Sequence, residues 1–170
     1  MSDGWSKLHD IDLWADARTE VDFAIPLKDF PRLLPQLSGD AGEASGRIRF
    51  GRQDGIAVAD VSVDATVHLL CQRCLAPLDH SVRSRGRVAM VEEGAEAERV
   101  PVQLETILAP GHRLSILDLV EEELLLALPV VPLHEPSHCV DGTSAVATPS
   151  ETEQHERQRP FERLGELFKR

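Results

Sequence analysis

"IAVADVSVDATVHLLCQRCLAPLDHSVRSRGRVAM", Ile56 to Met90, holds two β-patterned segments joined by a short break that carries two cysteines. Before the break, Val61, Val63, Ala65, Val67 and Leu69 recur at every second position, the period of a strand with one face on a core. After it, Val82, Ser84, Gly86, Val88 and Met90 share one face, while Arg83, Arg85 and Arg87 share the other. Ile56 and Val58 hold even positions, so the parity changes near Ala59–Asp60. A simple strand keeps its parity, and a β-bulge or bend is expected there. Upstream, "GRIRFG" alternates Ile48 and Phe50 against Arg47 and Arg49, and "RQDG" (Arg52–Gly55) has hairpin-turn chemistry. These segments read as an antiparallel meander.

Farther out, Val21, Phe23 and Ile25 alternate as a strand does until Pro26 ends the pattern. "DFPRLLPQL" (Asp29–Leu37) reads as one or two helical turns, with Asp29 as N-cap and Pro35 as the stop. Past the meander come an acidic loop, Glu92–Glu98, and "RVPVQLETIL" (Arg99–Leu108), an edge strand because of Pro101. The clearest helix is Ile116–Leu128. Ser115 can cap it, Asp118 stands at the N3 position, and Pro129 ends it. Leu117, Val120, Leu124 and Leu128 fall on one face, leaving Glu121 and Glu122 toward solvent. The fold class expected is α+β: an antiparallel sheet from about Val21 to Leu108, which could be barrel-like, covered by the helix. Residues 1–140 form this domain, 141–158 a polar, flexible linker, and 159–170 a short amphipathic segment with Phe161, Leu164 and Phe168 on one stripe.

A chain of 170 residues suffices for a sizeable core, and its net charge of −11 repels polyanions on average, so a nucleic-acid contact has to be local. Three cysteines, an odd count, argue against a disulfide-stapled secreted scaffold. No apolar h-region opens the chain, and the longest apolar run, Leu124–Leu133, is too short for a membrane span. A cytoplasmic protein without membrane contact is expected.

Cys71 and Cys74 admit three readings. A redox dithiol opens a helix whose N-terminus lowers the thiol pKa, whereas this pair stands between strands with Pro77 close behind. A zinc site needs two further thiolate or imidazole donors; Cys139 and His134, with four residues between them, supply them, with His138 and His80 as weaker candidates. The third reading is two thiols packed in a tight turn. Arg47 and Arg49 share one strand face, and Arg83, Arg85 and Arg87 share another. Between Ala44 and Met90 seven arginines face four aspartates, so a row of guanidinium forks could follow an RNA backbone. The alternative is a solvated face in which arginines pair with residues such as Asp64. Glu121, Glu122 and Glu123 read as a solvated face rather than an active site. No nucleophile–base set and no phosphate-cradling glycine loop is present, so no catalytic residue is assigned.

Three blocks, "VHLLCQRCLAPLDHSV", "DLVEEELLLALPVVPLHEPSHC" and the terminal "RPFERLGELFKR", resemble in order and spacing the YceD family, the large ribosomal RNA subunit accumulation proteins. The resemblance implies a role in synthesis, processing or stability of 23S ribosomal RNA. A non-enzymatic factor is expected, its arginine row suiting ribosomal RNA or pre-ribosomal particles and its acidic faces, Glu92–Glu98 and Glu121–Glu123, suiting a basic ribosomal protein. Relatives richer in cysteine around His134–Cys139 imply an ancestral zinc site. The alternative is a zinc-stabilised protein-interaction module without direct RNA contact.

Overall fold

The structure, a computed structural model, describes residues 4–92, 98–135 and 139. The chain divides into two units, residues 1–139 and 140–170, and every described residue belongs to the first. The expected linker, the terminal segment and His138 lie outside the described residues.

A five-stranded sheet in the order β2-β3-β4-β5-β6 carries the fold. Its strands are β2 (Glu20–Pro26), β3 (Glu43–Gln53), β4 (Ile56–Leu70), β5 (Pro77–Val91) and β6 (Glu105–Leu108). β1 (Leu8–Asp10) pairs separately with β7 (Arg113–Ser115). Helix α1 (Ile11–Asp16) follows β1, and α2 (Ile116–Ala127) follows β7. The class is α+β. No pairing joins β2 to β6 among the described residues, so the sheet is open and no closed barrel is found.

β3 and β4 are joined through Asp54 and Gly55, with φ of 53° and 84°. Two consecutive positive φ values make the turn whose twist matches a hairpin, and Asp-Gly tolerates both. From there the register runs unbroken, Gln53 opposite Ile56 to Ala44 opposite Ala65, without the bulge that the parity change suggested. The parity changes for another reason: this end of the sheet is apolar on both faces. Ala57, Ala59 and Val61 enter the main core, while Val58 packs with Ala89, Val91 and Val100 on the opposite face. At Gly46 the neighbouring strand comes so close that a Cβ would collide with the Ser62 carbonyl.

Three further expectations are corrected. β6 lies parallel to β5, so the sheet is mixed rather than a pure meander; the chain crosses back before pairing instead of turning tightly. Only Glu105–Leu108 of the expected edge strand is extended, because Leu104 N–H closes a turn onto the Pro101 carbonyl. Asp29 ends a short 3₁₀ turn, Leu27–Asp29, and caps no helix; Pro35 sits inside a second such turn, Leu34–Gln36.

The main core lies between the inner sheet face and a layer formed by α1, α2 and the segment after β2. Phe23, Ile25, Ile48, Val63 and Val67 meet Ile11, Leu27, Phe30, Leu33, Val120 and Leu124. The α2 cap is as expected: Ser115 Oγ accepts from Asp118 N–H at 3.0 Å. α1 was not anticipated, although Asp10 caps it by accepting from Leu13 N–H.

Candidate functional site

The break between β4 and β5 is a compact turn. Leu75 N–H donates to the Cys71 carbonyl (2.8 Å) and Cys71 N–H to the Ala76 carbonyl (3.0 Å). Leu75 takes a positive φ of 58°, a conformation that costs a branched side chain energy and is kept only where the surroundings enforce it. The segment after α2 is laced onto this turn, since Gln72 N–H donates to the Pro132 carbonyl at 2.9 Å. That lacing brings His134 and Cys139 to the cysteines. The ligand atoms of Cys71, Cys74, His134 and Cys139 all lie within 4.8 Å of one another. His80 stands opposite Val67 in the β4–β5 ladder and is not in the group.

The spacing fits a tetrahedral ion. Zinc–sulfur bonds of about 2.3 Å put two thiolates about 3.8 Å apart across a tetrahedron edge. Cys71 Sγ and Cys139 Sγ are 3.9 Å apart, and Cys74 Sγ stands 3.3 Å from His134 Nδ1. The imidazole is already oriented: Nε2 lies 2.9 Å from the Pro77 carbonyl, so Nε2 carries the proton and Nδ1 offers its lone pair to the centre. Burial resists ionisation of Cys71, but N–H groups of Cys74, His134 and Arg73 converge on its sulfur and lower its pKa to about 5. The sulfur of Cys74 raises the His134 pKa above its ordinary value. Arg73, between the two cysteines and unassigned from sequence, donates from Nε to Cys139 Sγ (2.9 Å) and from an Nη to the His134 carbonyl (3.3 Å). Three thiolates and one imidazole around a divalent ion leave one negative charge, and this guanidinium offsets it. Four protein donors close the shell and suit a structural zinc.

The two strand faces that carry the arginines lie on a single face of the sheet. Cross-strand register aligns Arg47, Ser62 and Arg85 in one row and Arg49, Asp60 and Arg87 in the next, with Arg83 opposite Asp64. A shallow groove of about 450 Å³ runs over these rows. Carboxylates are interleaved: Arg47 holds Asp22 (2.6 Å), Arg49 reaches Glu20 (3.3 Å), Arg87 holds Asp60 (2.6 Å) and Arg83 stands 3.7 Å from Asp64. Arg85, in the groove, forms no ion pair among the described residues.

The acidic triplet is not a solvated face. Glu121 is 1% exposed and Glu123 4%. Glu121 accepts from Arg32 N–H (2.6 Å), Leu33 N–H (3.1 Å) and Arg32 Nε (2.9 Å), tying α2 to the segment after β2. Glu123 accepts from the Ser84 hydroxyl at 3.0 Å. Glu122 is the more exposed member and pairs with Arg32 Nη1 at 2.8 Å. A missed signal was available: Gly86, with no side chain, leaves β5 open where the Glu123 carboxylate lies against it.

Residues 59–168 match the family described as Large ribosomal RNA subunit accumulation protein YceD. A curated relative of that name from Haemophilus influenzae is 32% identical over 85 residues, 49% of this chain and 49% of the relative. The match thus spans about half the length of that relative. No solved structure matches the chain. The family match runs through β4, the cysteine turn, α2 and the segment bearing His134 and Cys139, and the chain belongs to the YceD family.

Proposed function

We propose that this protein supports accumulation of the large-subunit ribosomal RNA as a non-catalytic binding factor, with the arginine face of the sheet meeting the RNA. The family name supplies the ribosomal context. The observation that carries the surface is Arg85, a guanidinium without an ion-pair partner among the described residues, in a groove flanked by Arg47, Arg49 and Arg87. Surface arginine–carboxylate pairs are worth about 0–1 kcal/mol, so a phosphate can displace an aspartate at little cost. Five arginines against Glu20, Asp22, Asp60 and Asp64 leave a local excess of a single positive charge. Recognition then rests on positioned guanidinium forks more than on a long-range field. The test is binding of purified protein to large-subunit RNA fragments over a salt series. Replacing Arg83, Arg85 and Arg87 by Gln should weaken binding and flatten the salt dependence by up to about 0.9 per lost contact, on the duplex scale. Wild-type binding and wild-type RNA accumulation by that variant would dismiss this face.

A second reading, a zinc-stabilised protein-interaction module without RNA contact, is favoured by the Cys71, Cys74, His134 and Cys139 cluster. Bound zinc would hold the post-α2 segment on the β4–β5 turn. Around it Leu75, Val130, Val131 and Leu133 stay exposed and supply apolar contact area. Metal analysis of gently purified protein, with RNA binding absent at low salt, would select this reading.

A further inference from the structure

On the inner side of the sheet, away from the arginine rows, a groove of about 410 Å³ opens between β6 and α2. Val88, Ile107 and Leu126 give it apolar walls, and Glu105, Glu122 and Glu123 are its only charged lining residues among the described ones. Leu126 is 63% exposed at its rim. Glu122 is engaged by Arg32, whereas Glu105 forms no ion pair among the described residues. Glu123 is the anomaly. It is almost wholly buried, yet its partner is the neutral Ser84 hydroxyl, which bonds one of its two oxygens. A buried carboxylate is ordinarily matched by a cation, because desolvation disfavours the charge. Among the described residues the chain supplies none here. Among the described residues β6 also has a strand neighbour on one side only.

We infer that this groove is a docking site for a lysine- or arginine-bearing segment of a protein partner, the aliphatic stem lying on Val88, Ile107 and Leu126 and the cation reaching Glu105 and Glu123. A long basic side chain has this dual character, an apolar stem with a charged tip, and a groove with apolar walls and acidic residues complements it. The inference rests on the ribosomal reading above and extends it from the RNA to the basic proteins that accompany it, assigning to them a surface separate from the arginine face.

The probe is a fluorescently labelled peptide of alternating leucine and lysine, titrated into the full chain, with a leucine–glutamate peptide as control. The lysine peptide should bind and the glutamate peptide should not. Glu105→Gln with Glu123→Gln, which keeps shape and the Ser84 contact, should weaken binding at least tenfold. Leu126→Asp at the exposed rim should weaken it without disturbing the core. Asp40→Asn with Glu43→Gln removes the same charge at exposed positions elsewhere and should have little effect. Equal weakening by both double variants would mean that net charge alone attracts the peptide, and would overturn the site. Peptide binding lost in the groove variant while RNA accumulation still fails only in the arginine variant would keep both proposals separate. Retained peptide binding in the groove variant sinks the groove and leaves the ribosomal reading standing. Peptide binding at the groove by a protein that never associates with pre-ribosomal particles would sink the ribosomal reading instead.

Discussion

Glu121 shows how much one side chain can organise. Its two oxygens take two backbone N–H groups and a guanidinium from the Arg32–Leu33 turn, in a place with almost no water. Removing the carboxylate orphans those N–H groups and leaves Arg32 to Glu122 alone. Glu121→Ala should therefore destabilise by about 3 kcal/mol, well above a surface charge deletion. Chemical denaturation checks this, and a loss below about 1 kcal/mol would mean that the turn finds other partners. The triplet looked solvated because three consecutive helix positions spread around the circumference. Which of them meets a neighbouring turn depends on a segment some ninety residues away.

At the level of elements, α2 is amphipathic in an unusual way, since its buried face includes two carboxylates beside Leu117, Val120 and Leu124. Glu123 has its pKa raised by burial, opposed by the Ser84 hydroxyl and reinforced by the negative charges of Glu105 and Glu122. A carboxyl with a folded pKa above its unfolded value of 4.5 stabilises the fold when protonated and forfeits that advantage as pH rises through the raised value. Glu123→Gln should match the wild type in melting temperature near pH 4 and exceed it at pH 8. Parallel melting curves across that range would show that the groove already hydrates the carboxylate. The hairpins were the most legible elements, because strand alternation and an Asp-Gly turn are local properties. The parallel placement of β6 was not legible, since strand direction in a sheet is decided by where the chain returns, not by side-chain period.

For the molecule as a whole, the Cys71–Cys139 cluster, with the Gln72–Pro132 and His134–Pro77 hydrogen bonds beside it, ties the end of the described chain back to the sheet. If zinc occupies it, the ion binds only the folded arrangement and stabilises it by mass action. A thousandfold excess over Kd is worth about 4 kcal/mol, so chelation should lower the melting temperature by about 10 °C for a chain of this size. Arg73→Ala should retain the four donors but weaken metal retention, because the charge on Cys139 loses its counter-cation. Unchanged melting with chelator, in protein shown to contain no metal, would leave a packed trio of thiols.

Local pattern alone marked strands β2 to β5, the Ser115 cap, the candidate ligand set and the family resemblance, because periodicity, capping and ligand spacing are written over a few residues. Tertiary structure decided the rest. It brought Arg47 and Arg49 onto the same face as Arg83, Arg85 and Arg87, then neutralised most of them with aspartates and glutamates from neighbouring strands. It buried Glu121 and Glu123, and it drew His134 and Cys139 to the β4–β5 turn through backbone hydrogen bonds that no side-chain pattern encodes. Charge pairing, burial and metal geometry each depend on distances between residues far apart in the chain, and only the folded packing sets those distances.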